Sequence, residues 1–289
     1  IPKDKFIDLV FTSVPYYRQV KYGDSKDEIG WEKTPEEYVS KIGNVITMND
    51  EQFKNSTVFA ININETFKDG ECLAIIPMLI LELKKRGFIY IQPTGWQKKD
   101  NKPAPTNIKR FSSSSESILL FAKSKDYYFN PIKIVNDKKK CEVKTGCKEQ
   151  GKTSESYHIS NQYDSIRDFI SEQEMEDIIL LNQSSKRAQK GLDNEFFGSF
   201  PTMLPARYIL SLCPENGTVW DPFGGMGNTG KMALLLGRSV VINELYEKNV
   251  ETLQKVLKMG ETEFDQNSLN LLHDDLGLYS EYELLSNVA

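Results

Sequence analysis

Two short stretches carry residue types and spacings that could do chemistry. In the first, Asp221-Pro222-Phe223-Gly224-Gly225-Met226-Gly227-Asn228-Thr229-Gly230 joins an apolar, strand-like run, Thr218 to Asp221, to a helical run from Gly227 to Leu236. Glycines at such a junction let the backbone turn sharply and approach a ligand closely. Glu244 ends the next strand-like run, nineteen residues beyond Gly225, where a carboxylate can take the hydroxyls of an adenosine ribose. The combination reads as a site for a nucleoside cofactor. Gly225, Gly227 and Gly230 also satisfy G-x-G-x-x-G, so NAD competes at this point, and so does a structural glycine turn with no ligand. The second stretch is Thr12-Ser13-Val14-Pro15-Tyr16-Tyr17, at the carboxyl end of a strand, where open α/β sheets bind ligands. A small polar residue, a proline-stiffened loop and an exposed aromatic can hold and stack a planar heterocycle. Alone, the string also fits a plain strand-ending turn.

These stretches need elements to position them. Phe6 to Thr12 and Ser56 to Ile63 have the β-branched and aromatic content of strands. Between them, Tyr38, Val39, Ile42 and Ile46 recur at helical spacing from Pro35 to about Met48, with Thr34 as cap. Glu71 to Arg86 predicts a helix stopped by Gly87, with Pro77 awkward inside it, and Phe88 to Gln92 and Ser117 to Lys123 predict further strands. After a stretch from Asn130 to about Glu195 poor in large apolar runs, the rhythm resumes with a strand to Asp221, the glycine loop and helix, a strand from Ser239 to Asn243 and a helix from Tyr246 to Met259. Alternation of this kind predicts an α/β fold with helices on both faces of an open sheet.

Composition narrows the chemistry. Two histidines, His158 and His273, leave HExxH zinc sites and most histidine acid/base schemes without their reagent. Cys72, Cys141, Cys147 and Cys213 are too few and scattered for a disulfide scaffold, and Cys141 and Cys147 lack a matching pair for zinc, so no metal is expected. The longest apolar run, Cys72 to Leu81, is broken by Pro77 and falls short of the roughly 18 residues that span a bilayer. With no charged-then-apolar opening at Ile1, a cytoplasmic home is expected. The formal net charge of −5 hides a segregation: Lys84 to Lys152 holds 17 Lys/Arg against 6 Asp/Glu. A basic block of this size is an electrostatic footprint for a polyanion, or a solvated lysine-rich surface.

The two stretches together resemble a known family. Asp-Pro-Phe-x-Gly-x-Gly resembles the S-adenosylmethionine loop of the amino-directed DNA methyltransferases, and Thr-Ser-Val-Pro-Tyr resembles their catalytic Thr-Ser-Pro-Pro-Tyr. The catalytic motif precedes the cofactor motif, as in the permuted beta group. Gly87-Phe88, Trp96-Gln97-Lys98, the Glu116 to Lys123 run and Phe200-Pro201-Thr202-Met203-Leu204-Pro205 look like further family segments. The resemblance implies a Rossmann-like methyltransferase sheet in two parts, a catalytic half over 1–129 and a cofactor-binding half over 196–289, with a target-recognition region over 130–195. It implies S-adenosylmethionine as cofactor and double-stranded DNA as partner, with a cognate restriction endonuclease a further candidate. Serine at the head of the catalytic tetrapeptide goes with cytosine N4 in this family, against Asp or Asn for adenine N6, so Ser13 favours cytosine. An adenine N6 enzyme, an NAD-dependent oxidoreductase and a catalytically silent DNA-binding protein are the alternatives.

Carried over residue by residue, the resemblance makes Ser13, Val14, Pro15 and Tyr16 catalytic. It places Thr12, Phe200, Pro201, Thr202, Asp221, Pro222, Phe223, Gly225, Gly227, Asn228, Glu244 and Asp275 around the cofactor. Lys98, Lys99, Lys102, Lys109, Arg110, Lys138, Lys139 and Lys140 become candidates for contacts to DNA phosphates. Val14 departs from the family's first proline, Phe200 from its histidine and Asn228 from its threonine.

Overall fold

The computed structural model describes residues 5–98, 109–131, 178–181, 200–201 and 203–247, with 249–251, 253, 254 and 257 of the segment that follows. Its centre is a seven-stranded sheet. Strands β1 (Ile7–Ser13), β2 (Phe53–Ile63), β5 (Ile89–Lys98), β6 (Ser115–Ala122), β7 (Ile178–Leu181), β8 (Thr218–Asp221) and β9 (Ser239–Ile242) lie in the order β7-β5-β6-β2-β1-β8-β9. β6 runs antiparallel to both its neighbours; the other pairs are parallel.

Alternation along the strands sends side chains to two faces. Leu9, Phe11, Val58, Ala60, Ile118 and Leu120 pack on one side with helices α3 (Leu204–Leu212) and α4 (Asn228–Leu235). Val10, Phe59, Ile61, Leu119 and Phe121 pack on the other with α1 (Pro35–Thr47) and α2 (Ile75–Lys85). Helices thus cover both faces, as the alternation predicts. On the second face Phe53 joins Trp220 and Phe59 with ring centroids 5.8 and 5.0 Å apart, and Phe88 follows Phe59 at 4.8 Å. Each such contact stabilises by about 1 kcal/mol beyond its buried area.

The helix starts follow local chemistry. In α1 the Thr34 side chain accepts from the Glu37 N–H, Pro35 opens the first turn, and Tyr38, Val39, Ile42 and Ile46 form the buried face. The expected helix from Glu71 is shorter, because Asp69 and Gly70, both at positive φ (52° and 86°), turn a small hairpin between β3 (Phe67–Lys68) and β4 (Glu71–Cys72). α2 begins only at Ile75, where the Glu65 carboxylate accepts the N–H groups of Ile75 and Ile76 at 2.8 and 3.2 Å. Pro77 falls in its first turn, where a missing N–H costs no helical bond.

Three elements differ from the sequence reading. β5 runs on through Pro93 to Lys98; among the described residues β7 pairs with Gly95 to Lys98 and no strand pairs beside Pro93 on that side, so the ring interrupts no described ladder there. α3 was not predicted: every residue from Leu204 to Leu212 is buried, which erases the amphipathic period. β7 lies inside the 130–195 span yet pairs with the main sheet. Residues 132–177 and 182–199, the rest of that span, lie outside the described residues.

Candidate active site

Strand order locates the site. From β1 the chain crosses through α1 to β2 on one side, and from β8 it crosses through α4 to β9 on the other. β1 and β8 are parallel neighbours, so their carboxyl ends diverge at the point where strand order reverses, the usual ligand crevice of an open α/β sheet. Thr12 is the last residue but one of β1 and Asp221 ends β8, and the Thr12 hydroxyl donates to Asp221 Oδ1 at 2.6 Å. Thr12 is fully buried and tied to the loop, so its side chain braces the crevice. Asp221 also accepts the Phe223 N–H at 3.1 Å. Burial pushes its carboxyl up to about 6, although the bonds from Thr12 and Phe223 pull it down.

Beyond lies a cavity of about 360 Å³ that brings both predicted stretches together. Ser13 and Pro15 line it from the β1 side; Phe223, Gly225, Asn228 and Glu244 line it from the other, and Phe200 and Pro222 also face it. Gly225 and Gly227 have φ of 49° and 79°, a conformation side chains disfavour, and Gly227 begins α4. Gly224 is required for packing: a Cβ there would stand 2.2 Å from Ile242 Cγ2. Glu244 Oε2 accepts the Gly225 N–H at 2.9 Å, while Oε1 accepts from the Tyr246 N–H and Asn249 Nδ2. Of roughly four acceptor positions on a carboxylate, three are taken, which leaves room for one ligand hydroxyl. Asn228 donates to the Phe200 carbonyl at 2.7 Å, and the Phe200 ring meets Phe11 edge-on at 5.7 Å. Pro201 is buried and does not line the cavity. Thr202 and Asp275 lie outside the described residues.

On the catalytic side, Val14 is 2% exposed and its side chain belongs to the apolar core, while its N–H donates to the Asn62 carbonyl. The valine for proline exchange therefore fills a core position and keeps the main-chain carbonyl. The Pro15 carbonyl accepts from the Tyr38 hydroxyl at 2.7 Å, which fixes the loop to α1. Tyr16 is half-buried and its hydroxyl donates to Glu116. Both burial and the neighbouring carboxylate raise that phenol well above its ordinary range.

Sequence reasoning missed several residues. Asn62 on β2 contacts Ser13 and Tyr16, and its only signal was a polar residue inside the apolar run Val58 to Ile63. Tyr22, Glu28 and Ile29 line the cavity from a loop closed at its neck by the Arg18 N–H on the Gly30 carbonyl at 2.7 Å. Glu28, 8% exposed, accepts the N–H groups of Tyr22 and Gly23 and the hydroxyl of Tyr246, so this loop is fastened to the far wall. No periodicity marks such a loop.

The candidate DNA contacts divide. The Lys98 ammonium is 2.6 Å from Glu116 Oε1 and its side chain is 14% exposed, so a buried carboxylate competes with any phosphate for it. Lys109 and Arg110 are exposed, with the Arg110 guanidinium 4.0 Å from the Phe67 ring centroid. Lys99, Lys102, Lys138, Lys139 and Lys140 lie outside the described residues. Among the described residues no cluster of His, Cys, Asp and Glu is placed to hold a metal ion, and no helix is long and apolar enough to cross a membrane.

Comparison with known proteins decides between the nucleotide cofactors left open by the glycine pattern. The family model of the N6/N4 DNA methylases matches residues 7–255. The chain belongs to that family. Its cofactor is accordingly S-adenosylmethionine, and NAD is set aside for Gly225, Gly227 and Gly230. The Type II methyltransferase M.MwoI of Methanothermobacter wolfeii is 33% identical over 127 residues, 42% of this chain and 19% of that protein. M2.LlaDCHI of Lactococcus lactis subsp. cremoris is 27% identical over 186 residues, 63% of this chain and 56% of that protein. The chain thus spans a fifth of the first relative's length and little more than half of the second's. Among solved structures, the cytosine-N4-specific PvuII DNA methyltransferase superposes with a TM-score of 0.62 at 15% identity over 93% of this chain and 84% of that one. A DNA modification methylase of Thermus thermophilus in complex with S-adenosyl-L-methionine gives 0.57 at 17% identity, over 90% of each chain. At these identities the likeness is one of fold, and the fold is that of the Rossmann-like methyltransferases.

Proposed function

We propose that this DNA methylase family member transfers a methyl group to the exocyclic N4 amine of cytosine in double-stranded DNA. The observation that carries this reading is the Ser13 hydroxyl at the end of β1, facing the same cavity as Glu244 and the glycine loop. The cytosine-N4-specific name of a structural neighbour supports the same choice. A Type II restriction-modification setting, with a cognate endonuclease as partner, is supported by the names of the curated relatives.

Glu244 holds a ribose hydroxyl, the backbone from Asp221 to Gly227 holds the methionine part, and Phe223 lies alongside. Bound there, S-adenosylmethionine supplies an electrophilic methyl on a sulfonium. The amine of cytosine is a poor nucleophile because its lone pair is delocalised into the ring. The Ser13 hydroxyl and the Val14 carbonyl accept hydrogen bonds from its two N–H groups, which drives the nitrogen towards sp3 geometry and aims the lone pair at the methyl. The group held by Glu244 and the glycine loop would supply the methyl with its sulfur as leaving group, and the surplus amine proton would pass to solvent. No enzyme nucleophile is required, so positioning supplies most of the acceleration. The base must leave the duplex to reach Ser13, and Tyr16 stacks on it there.

Expression in a host free of DNA methylation, followed by nucleoside mass spectrometry, tests the reading. N4-methylcytosine is expected; N6-methyladenine without it overturns the cytosine assignment.

A further inference from the structure

Behind Ser13 lies a buried polar cluster to which the reaction above gives no part. Asn62, 1% exposed and the register partner of Ser13 in the β1–β2 pair, turns Nδ2 to three oxygens: Glu116 Oε2 at 3.0 Å, the Tyr16 hydroxyl at 3.1 Å and Ser13 Oγ at 3.2 Å. Glu116, 9% exposed, accepts from Tyr16 as well, and its second oxygen pairs with Lys98 at 2.6 Å. Four adjacent strands, β5, β6, β2 and β1, contribute one residue each, and the loop after β1 adds Tyr16.

The arrangement has a direction. A carboxylate only accepts, so Glu116 compels the NH₂ end of Asn62 to face it, and the carbonyl end must point the other way. That carbonyl oxygen is buried without a partner among the described residues. Turning the amide to satisfy it would set oxygen against carboxylate, a worse loss. Held this way round, Asn62 gives one N–H to Glu116 and turns the other to the neighbouring Tyr16 and Ser13 oxygens. A serine hydroxyl has two lone pairs; with one engaged by Asn62 the side chain is fixed, and the other stays available to an amine proton. Lys98 pairs with Glu116 in a site where a lone carboxylate would be costly.

We propose that Asn62 is a positioning residue for Ser13, and that Glu116 and Lys98 act through it by setting the direction of its amide and tethering Tyr16. This rests on the reading that Ser13 receives the amine. Single-turnover methyl transfer from S-adenosylmethionine to plasmid DNA is compared for the wild-type chain, Asn62→Ala, Ser13→Ala and the double variant, with cofactor affinity measured alongside. Each single change is expected to slow transfer about 10- to 100-fold with cofactor affinity within about twofold, and the double variant to be no slower than Ser13→Ala, because the two act through one hydroxyl. Glu116→Gln, which keeps the size of the side chain but frees the amide to turn, is expected to be slowed with the same split.

Full activity of Asn62→Ala, losses that multiply in the double variant, or losses that track cofactor affinity overturn the proposal. A wild-type chain that methylates only adenine removes the cytosine assignment and leaves this comparison readable on adenine. If the wild-type chain transfers no methyl at all, the functional reading fails, and a urea-unfolding cycle on Asn62 and Glu116 decides this one: coupling supports the cluster, additivity overturns it.

Discussion

At the scale of single residues, Ser13 and Asp221 make opposite demands on their surroundings. Ser13 must stay accessible at a cavity wall, and its replacement by alanine removes an acceptor that matters only as the amine changes geometry. Methyl transfer by Ser13→Ala is expected to fall about 100-fold with cofactor affinity held, as measured by single-turnover rates and calorimetry. Asp221 is 1% exposed, and its carboxyl sits at about 6 in the folded chain against an ordinary value of 3.8. Between those two values the folded state binds more protons than the unfolded one, so stability falls as pH rises through the window and levels off above it. The cost approaches about 3 kcal/mol at neutral pH. Thermal melts from pH 4 to 7 are expected to show this decline. Asp221→Asn, which can still accept from Thr12 and Phe223, flattens it. Ser13, Pro15, Phe223 and Glu244 were legible because short motifs fix their places in the chain. Asn62 was not, because what singles it out is a neighbour across a strand pair, and pairing is invisible in one sequence.

Among elements, two loops close the crevice, and they differ in how the sequence declares them. The Asp221 to Gly227 loop is announced by its glycines, two of them in left-handed backbone and one packed against Ile242. The loop between Arg18 and Gly30 is announced by nothing periodic, yet its Glu28 gathers two backbone N–H groups and the Tyr246 hydroxyl from the opposite wall. Loss of Glu28 unfastens a lid whose inner side lines the cofactor cavity. Glu28→Ala is expected to weaken S-adenosylmethionine binding about tenfold, faster release being the larger part, by calorimetry and stopped-flow. Unchanged affinity would show that the loop closes without that carboxylate. Helices with an amphipathic face, such as α1, were predicted to within a residue. α3 escaped because it is buried on every side, and the β3–β4 hairpin because an apolar run downstream outweighed its Asp-Gly turn.

Across the whole molecule, the charge segregation of the sequence sorts into structure only in part. Lys98, counted within the basic block, pairs with Glu116 inside the fold, whereas Lys109 and Arg110 remain at the surface, Arg110 against the Phe67 ring. Phosphate contacts proposed there would release counterions, so DNA affinity is expected to fall steeply with salt. Replacing both Lys109 and Arg110 with alanine should reduce the slope of log affinity on log salt by about 2; fluorescence anisotropy across a salt titration measures it, and an unchanged slope would take both residues off the DNA path. The proposed crevice at the switch point between β1 and β8 aims a cytosine amine, held by Ser13, at the methyl of S-adenosylmethionine. Base-resolution mapping of modified sites in DNA from a methylation-free host expressing the chain is the decisive measurement. N4-methylcytosine is expected at one recurring sequence and is expected to be sharply reduced by Ser13→Ala; modification confined to adenine, or cytosine modification undiminished in Ser13→Ala, would overturn the assignment.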